Sequence, residues 1–203
     1  SDAGIRMDTA DAIADLATGD PLTFSVWAKI HPTFSNGGII MSMQQCNAPS
    51  FQIWIGSGSG AYVAEDGRVT WRISGGNEYT VDSGKPDNPV DQVLGGRPRN
   101  PKSNDNLYVD RRGSWMNVTG TYSGNTGKLY INGELVSTNS NPDRAGWTTR
   151  DVSNTTLAFM NRYPCGTTSW IQGWFHQAAV YKKELSADEV MQNYNVIARR
   201  WGI

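Results

Sequence analysis

The side chains able to do chemistry are few and widely spaced. The chain has two histidines, His31 and His176, and two cysteines, Cys46 and Cys165. Breaking a glycosidic bond needs two carboxylates held roughly 5–10 Å apart across it. On one strand such a pair would occupy alternate positions, because successive side chains point to opposite faces. No expected strand carries one. Glu65, Asp66 and Asp82 fall in turns, and Asp188 and Glu189 open a helix. His176 stands mid-strand beside Gln177 with no acid close in sequence, so it reads as a structural histidine and not as a base. Neither cysteine has the context of a nucleophile. The glycines of 56–60 open no helix and bring no lysine, so they form no phosphate loop. The sequence therefore predicts a protein that is not an enzyme, with no catalytic residues.

Binding chemistry is better represented. Three aromatic residues, Trp147, Tyr163 and Trp170, fall in expected loops. An indole offers an apolar face to a sugar ring while its N–H donates outward. These three are the carbohydrate-binding candidates, and the competing role for each is packing over a sheet edge. Calcium takes six to eight oxygen ligands. The chain lacks the regular alternation of acids in a calcium loop, but Asp66, Asp143 and Asp151 could converge from separate loops. No cofactor is required, and calcium is the one that the composition admits. Asn117-Val118-Thr119 and Asn154-Thr155-Thr156 match the acceptor pattern for N-glycosylation. Cys46 and Cys165 each sit in a loop. They pair only if those loops meet, and two free thiols is the simpler expectation.

The elements that must position these residues are mostly strands. Thr23 to Ile30 alternates, with Phe24, Val26, Ala28 and Ile30 on one face and Trp27 on the other. Further strands are expected at 4–7, 38–43, 51–55, 68–73, 78–81, 155–160 and 174–181. The most informative stretch is 115–122 followed by 128–136, where Asn132-Gly133 supplies the two positive-φ residues of a type I′ hairpin. Trp27, Trp54, Trp71, Trp115, Trp174 and Trp201 lie in periodic segments and are expected in the core or on a sheet face. Residues 9–17 suggest one or two helical turns. Ser186 with Glu189 forms a capping box. Val190, Tyr194, Ile197 and Trp201 then recur at helical spacing, so a terminal helix should lay one face on the sheets. Residues 82–112 break the rhythm, with four of the nine prolines and almost no apolar periodicity. A connection of that length is usually functional or disordered.

Composition narrows the class. The chain of 203 residues has eight Trp, eight Tyr and five Phe for burial, and 22 Gly and nine Pro suited to many turns. Residues 1–203 read as one domain, a size at which sandwiches commonly fold as a unit. The formal net charge of −1 gives no basic field for nucleic acid. No apolar run approaches the ~18 residues of a membrane span, so no membrane insertion is expected. No charged-then-apolar segment opens the sequence, so no signal peptide is expected within it.

Several phrases share their order and spacing with a known family. They are Gly4-Ile5-Arg6-Met7, Phe24-Ser25-Val26-Trp27-Ala28-Lys29, Trp115 with Val118 and Thr121-Tyr122, and Leu129-Tyr130-Ile131-Asn132-Gly133-Glu134-Leu135-Val136. Gly173-Trp174-Phe175, Leu185-Ser186, Glu189 and Gln192-Asn193-Tyr194-Asn195 close the set. The chain resembles the laminin-G-like, or concanavalin A-like, jelly-roll domain over nearly its whole length. The resemblance implies an all-β fold, a two-sheet antiparallel jelly-roll sandwich with a short C-terminal helix. Members of that family are typically non-catalytic modules for glycan or protein recognition, some with calcium at the rim. The tail from Tyr194 to Ile203 is similar to those of such domains in bacteriophage structural proteins. The expected function is thus a virion structural or capsid decoration protein, with other virion proteins or its own copies as partners. The alternative is a secreted or cell-surface glycan-binding module. The expected location is correspondingly the virion or the extracellular space.

Overall fold

The computed structural model describes residues 5–8, 20–33, 38–45, 48–55, 69–74, 78–82, 113–124, 126–140, 156–160 and 171–202. Cys46, Cys165, the helical turns expected at 9–17 and residues 83–112 lie outside them. Asp82, expected at the start of the long loop, is the last residue of a strand.

Eleven strands and one helix are described. In chain order they are β1 (Ile5–Asp8), β2 (Leu22–Ile30), β3 (Gly38–Gln45), β4 (Ala48–Ile55), β5 (Val69–Ser74), β6 (Glu78–Asp82), β7 (Trp115–Ser123), β8 (Thr126–Ile131), β9 (Glu134–Ser140), β10 (Thr156–Phe159), β11 (Gly173–Tyr181) and α1 (Ala187–Trp201). One sheet has the order β1-β10-β3-β4-β5-β6 and the other β11-β2-β7-β8-β9. Every pairing is antiparallel. This is the concanavalin A-like sandwich that the sequence predicts.

The alternation in β2 is what makes two layers possible. Phe24, Val26, Ala28 and Ile30 are buried between the sheets, joined from the other layer by Met41, Met43, Phe51, Ile53, Ile55 and Trp71. The layers lock at one point. Phe24 and Gly120 are cross-strand partners in β2 and β7. The Trp71 indole of the opposite sheet stands edge-on to Phe24 at 5.4 Å and stacks on Phe51 at 5.9 Å. It also lies against the Gly120 backbone, where an added Cβ would stand 2.7 Å from indole atoms Cγ and Cε2. Glycine is required there because the indole occupies the volume that a side chain would take.

The Asn132-Gly133 turn forms as its residue types dictate, with φ of 53° and 82° and Ile131 paired to Glu134. Asn132 also ties the turn down: its Oδ1 accepts from the Asn117 N–H at 3.0 Å, and its own N–H donates to the Asn117 carbonyl at 2.9 Å.

The interlayer contact at Gly120 can be tested. Gly120→Ala should destabilise the fold by about 1–3 kcal/mol through overpacking. Gly124→Ala, in a turn with φ of 58° and nothing within 4 Å, should cost only the left-handed strain of about 1 kcal/mol. Urea unfolding midpoints of the two variants check the order.

Candidate functional site

The outer face of the five-stranded sheet holds two kinds of surface. The first is covered by α1. Ser186 caps the helix: its Oγ accepts from the Glu189 N–H at 3.2 Å, and Glu189 Oε2 accepts from the Ser186 N–H at 2.8 Å. Thr23 Oγ1 fixes the approach, donating to the Lys183 carbonyl at 2.8 Å and accepting from the Leu185 N–H at 2.9 Å. Leu185 and Val190 bury themselves against Tyr130. Met191 and Tyr194 close over Gly133, where an added Cβ would stand 2.9 Å from the Met191 sulfur. Trp27 is buried beneath the helix, stacked on Tyr194 at 5.5 Å with 6° between planes and meeting Trp201 edge-on at 5.1 Å.

Three polar side chains on this face, Ser25, Asn117 and Thr119, bond to one another. Asn117 Nδ2 donates to Ser25 Oγ at 3.1 Å and to the Val26 carbonyl at 3.3 Å. Thr119 Oγ1 hydrogen-bonds with Ser25 Oγ at 2.9 Å and Asn117 Oδ1 at 3.2 Å. Asn117 is 2 % exposed, so in the folded chain its amide is closed to glycosylation. Asn154 lies outside the described residues.

The second surface begins where the helix ends. Trp201 packs on Trp115 at 4.7 Å and His176 at 4.4 Å. His176 is the extra residue of a β-bulge: register with β2 shifts between Phe175 and Gln177. The bulge puts His176 against the outer aromatics while Phe175 and Ala178 pack on the core. Two residues earlier, Trp174 stands opposite Lys29 in register. It is 48 % exposed, while the other tryptophans with a described burial are half-buried or buried. The His31 ring stacks on it at 5.6 Å with 23° between planes, and Lys29 Nζ lies over it, 5.2 Å from the ring centre.

The backbone holds this corner in place. The His31 N–H donates to the Gln172 carbonyl at 2.8 Å, and the Gly113 N–H donates to the Ile30 carbonyl at 2.8 Å. Gly173 lets β11 close on β2, since an added Cβ would press on the Lys29 carbonyl and stand 3.1 Å from Ile30 Cα. His31 Nδ1 accepts from the Thr33 N–H at 3.3 Å and meets the Thr33 hydroxyl at 2.8 Å. In the neutral ring that leaves the proton on Nε2, free to donate elsewhere. An apolar ring beside two polar donors is the composition of a site for a polar ligand with an apolar face.

The predicted candidates Trp147, Tyr163 and Trp170 lie outside the described residues, as do Asp66, Asp143 and Asp151. Among the described residues no three His, Cys, Asp or Glu side chains gather as a metal ion would need. No helix among them is long and apolar enough to cross a membrane. Glu184 and Glu189 are ion-paired, with Lys128 at 2.7 Å and Lys183 at 2.5 Å. The sequence left Trp174 either in the core or on a sheet face and did not single it out for binding; it stands on the sheet face, 48 % exposed. The signal was available in part: β11 holds no Asp, Glu, Lys or Arg and begins Gly173-Trp174.

A family model described as the concanavalin A-like lectin/glucanases superfamily matches residues 2–191. The chain belongs to that superfamily. No curated protein matches it in sequence. Among solved structures it is similar to the CBM40 of a Ruminococcus gnavus IT-sialidase, at 16 % identity and a TM-score of 0.62, with 94 % of this chain and 92 % of that one covered. It is also similar to the binding domain of botulinum neurotoxin serotype D, at 17 % identity and a TM-score of 0.52, covering 88 % of this chain and 37 % of that one. A third is the binding domain of botulinum neurotoxin DC in complex with SialylT, at 16 % identity and a TM-score of 0.50, covering 88 % and 36 %. The chain thus spans little more than a third of the length of the toxin domains. At these identities the likeness is one of fold.

The helix cap yields a prediction. Lys183 and the Ser186 N–H, both hydrogen-bonded to Glu189, hold its carboxyl below the usual carboxylate range. A lowered folded-state value stabilises the fold above the ordinary carboxylate range, and that contribution is lost as pH falls through the folded value. Ser186→Ala should cost about 1 kcal/mol at neutral pH. Glu189→Gln should lower the melting midpoint at neutral pH and converge with the parent in acid. Thermal melts across pH check both.

Proposed function

We propose that this chain is a non-catalytic glycan-binding module, and that Trp174 with Lys29 and His31 forms its contact surface. The observation that carries this reading is the half-exposed Trp174 on the rigid outer corner of the sheet, flanked by an ammonium and an imidazole. The other described tryptophans are buried or half-buried. A sugar presents both a C–H face and hydroxyls, and this corner has an indole for the first and donors for the second.

Two of the similar structures support the reading. One is the CBM40 of a sialidase, and the other a toxin binding domain in complex with SialylT. Neither shares enough sequence to pass on a site, so the residues named here rest on this chain's own geometry. The virion role expected from the sequence has no counterpart among the proteins named above, and the glycan-binding alternative is the reading we adopt. The loop aromatics Trp147, Tyr163 and Trp170 stay in the proposal as further contact candidates.

A glycan array followed by calorimetry on the best ligand tests it. Trp174→Ala should weaken binding about tenfold or more, which corresponds to about 1.4 kcal/mol. Val196→Ser, on the exposed side of α1, should leave affinity within about twofold, since a residue off the contact surface contributes little. Alanine variants of Trp147, Tyr163 and Trp170 run in parallel would show whether contact extends to the loops. No binding to any glycan, or full affinity in Trp174→Ala, would remove this assignment.

A further inference from the structure

The charge distribution around Trp174 says more about the ligand than the indole does alone. β2, β7 and β11 lie side by side, and none of the three contains an Asp or Glu. Their one fully charged residue is Lys29. Among the described residues no carboxylate pairs with it, and its ammonium rests over the Trp174 ring. His31 stands on the same ring with Nε2 left to donate.

The helix adds to this asymmetry. Its acids, Asp188 and Glu189, are in the first turn, and its bases, Arg199 and Arg200, are in the last. Trp201 follows directly and touches His176 and Trp115. The thirteen steps from Asp188 to Trp201 span about 20 Å at 1.5 Å each. The helix carboxylates are therefore held at the far end, and the two arginines are brought to the aromatic corner. In a chain with formal net charge −1, the three corner strands and the last turn of the helix thus carry only positive described formal charges, Lys29, Arg199 and Arg200. An unpaired ammonium keeps its affinity for an anion, and the partly apolar corner screens it less than open water would.

We infer that the ligand of this corner is an acidic sugar: a pyranose bearing a carboxylate or a sulfate, with its ring against Trp174 and its anion on Lys29. This rests on the glycan-binding reading above and specifies its ligand. Carboxylate and sulfate offer the same feature to Lys29, a compact anion that accepts charge-assisted hydrogen bonds.

The test compares matched ligands on the intact chain. Lactose, sialyllactose and a sulfated lactose are titrated by calorimetry at low and high sodium chloride. The acidic forms should bind about tenfold more tightly than lactose at low salt, with the ratio falling as salt rises. Lys29→Met keeps the aliphatic stem and removes the charge, and the ratio should fall towards one. Arg199→Gln with Arg200→Gln should lower it by a smaller factor. Lys183→Met, at the acidic end of the helix, should preserve it. Whether the carboxylated or the sulfated lactose leads identifies the anion. Equal binding of lactose and both acidic forms, or a preference that Lys29→Met leaves intact, would overturn the inference and leave the glycan-binding reading standing. Failure of all three ligands alongside a blank glycan array would bring down both.

Discussion

The stacking of Trp27 beneath Tyr194 and Trp201 is the contact on which the layout of this molecule's surface depends. An antiparallel sheet needs only one face buried, and the inner face of β2 already meets that need with Phe24, Val26, Ala28 and Ile30. A tryptophan on the other face would be an exposed apolar surface unless something covered it. The helix does so, but its fifteen residues reach only about 22 Å. Past its last turn the sheet carries Trp174, which is 48 % exposed. Where the helix stops is set by Gly202, which takes the left-handed conformation and donates its N–H back to the Ala198 and Arg199 carbonyls. A local backbone feature at the end of the chain thus bounds the open surface on the sheet.

The parts of the fold that were legible in the sequence were those with local causes. The period of two in β2, the Asn132-Gly133 turn and the Ser186–Glu189 box each act within a few residues, so residue types alone identify them. Strand order was not legible. That β10 inserts between β1 and β3, or that β11 becomes the edge beside β2, depends on contacts between residues over a hundred positions apart. The status of Trp174 depends on those same facts. The period left it in the core or on a sheet face and could not show that β11 would be an edge, or that a bulge at His176 would turn a second ring outward. Asn117 makes the same point in reverse. Its tripeptide matches a modification signal, yet the amide is consumed by Ser25 and Val26, ninety-two and ninety-one residues away.

A buried hydroxyl or amide costs free energy unless it is paired. Ser25, Asn117 and Thr119 sit under α1 and pair among themselves, which fixes their side chains and leaves little of them for a ligand. Two side chains on β8 are perturbed differently. Lys128 is raised above its ordinary value first by its hydrogen bond to Glu184, and Tyr130 is raised by burial. Both shifts favour the protonated forms. At the corner, by contrast, the Lys29 ammonium has no carboxylate partner among the described residues, and the Trp174 ring is half exposed.

That arrangement is consistent with the recognition role proposed above. A glycosidase site needs one carboxyl group kept protonated and a second kept ionised, both facing the scissile bond. The three strands that frame the corner have no carboxylate to offer. They supply rings and one cation, Lys29, on a scaffold where the His31 N–H donates to the Gln172 carbonyl and the Gly113 N–H to the Ile30 carbonyl. A preorganised ring loses little entropy when a ligand settles on it. Gly173 and Lys29 act together on the indole: the glycine lets β11 close on β2 and so fixes where the ring stands, and the Lys29 ammonium lies over that ring.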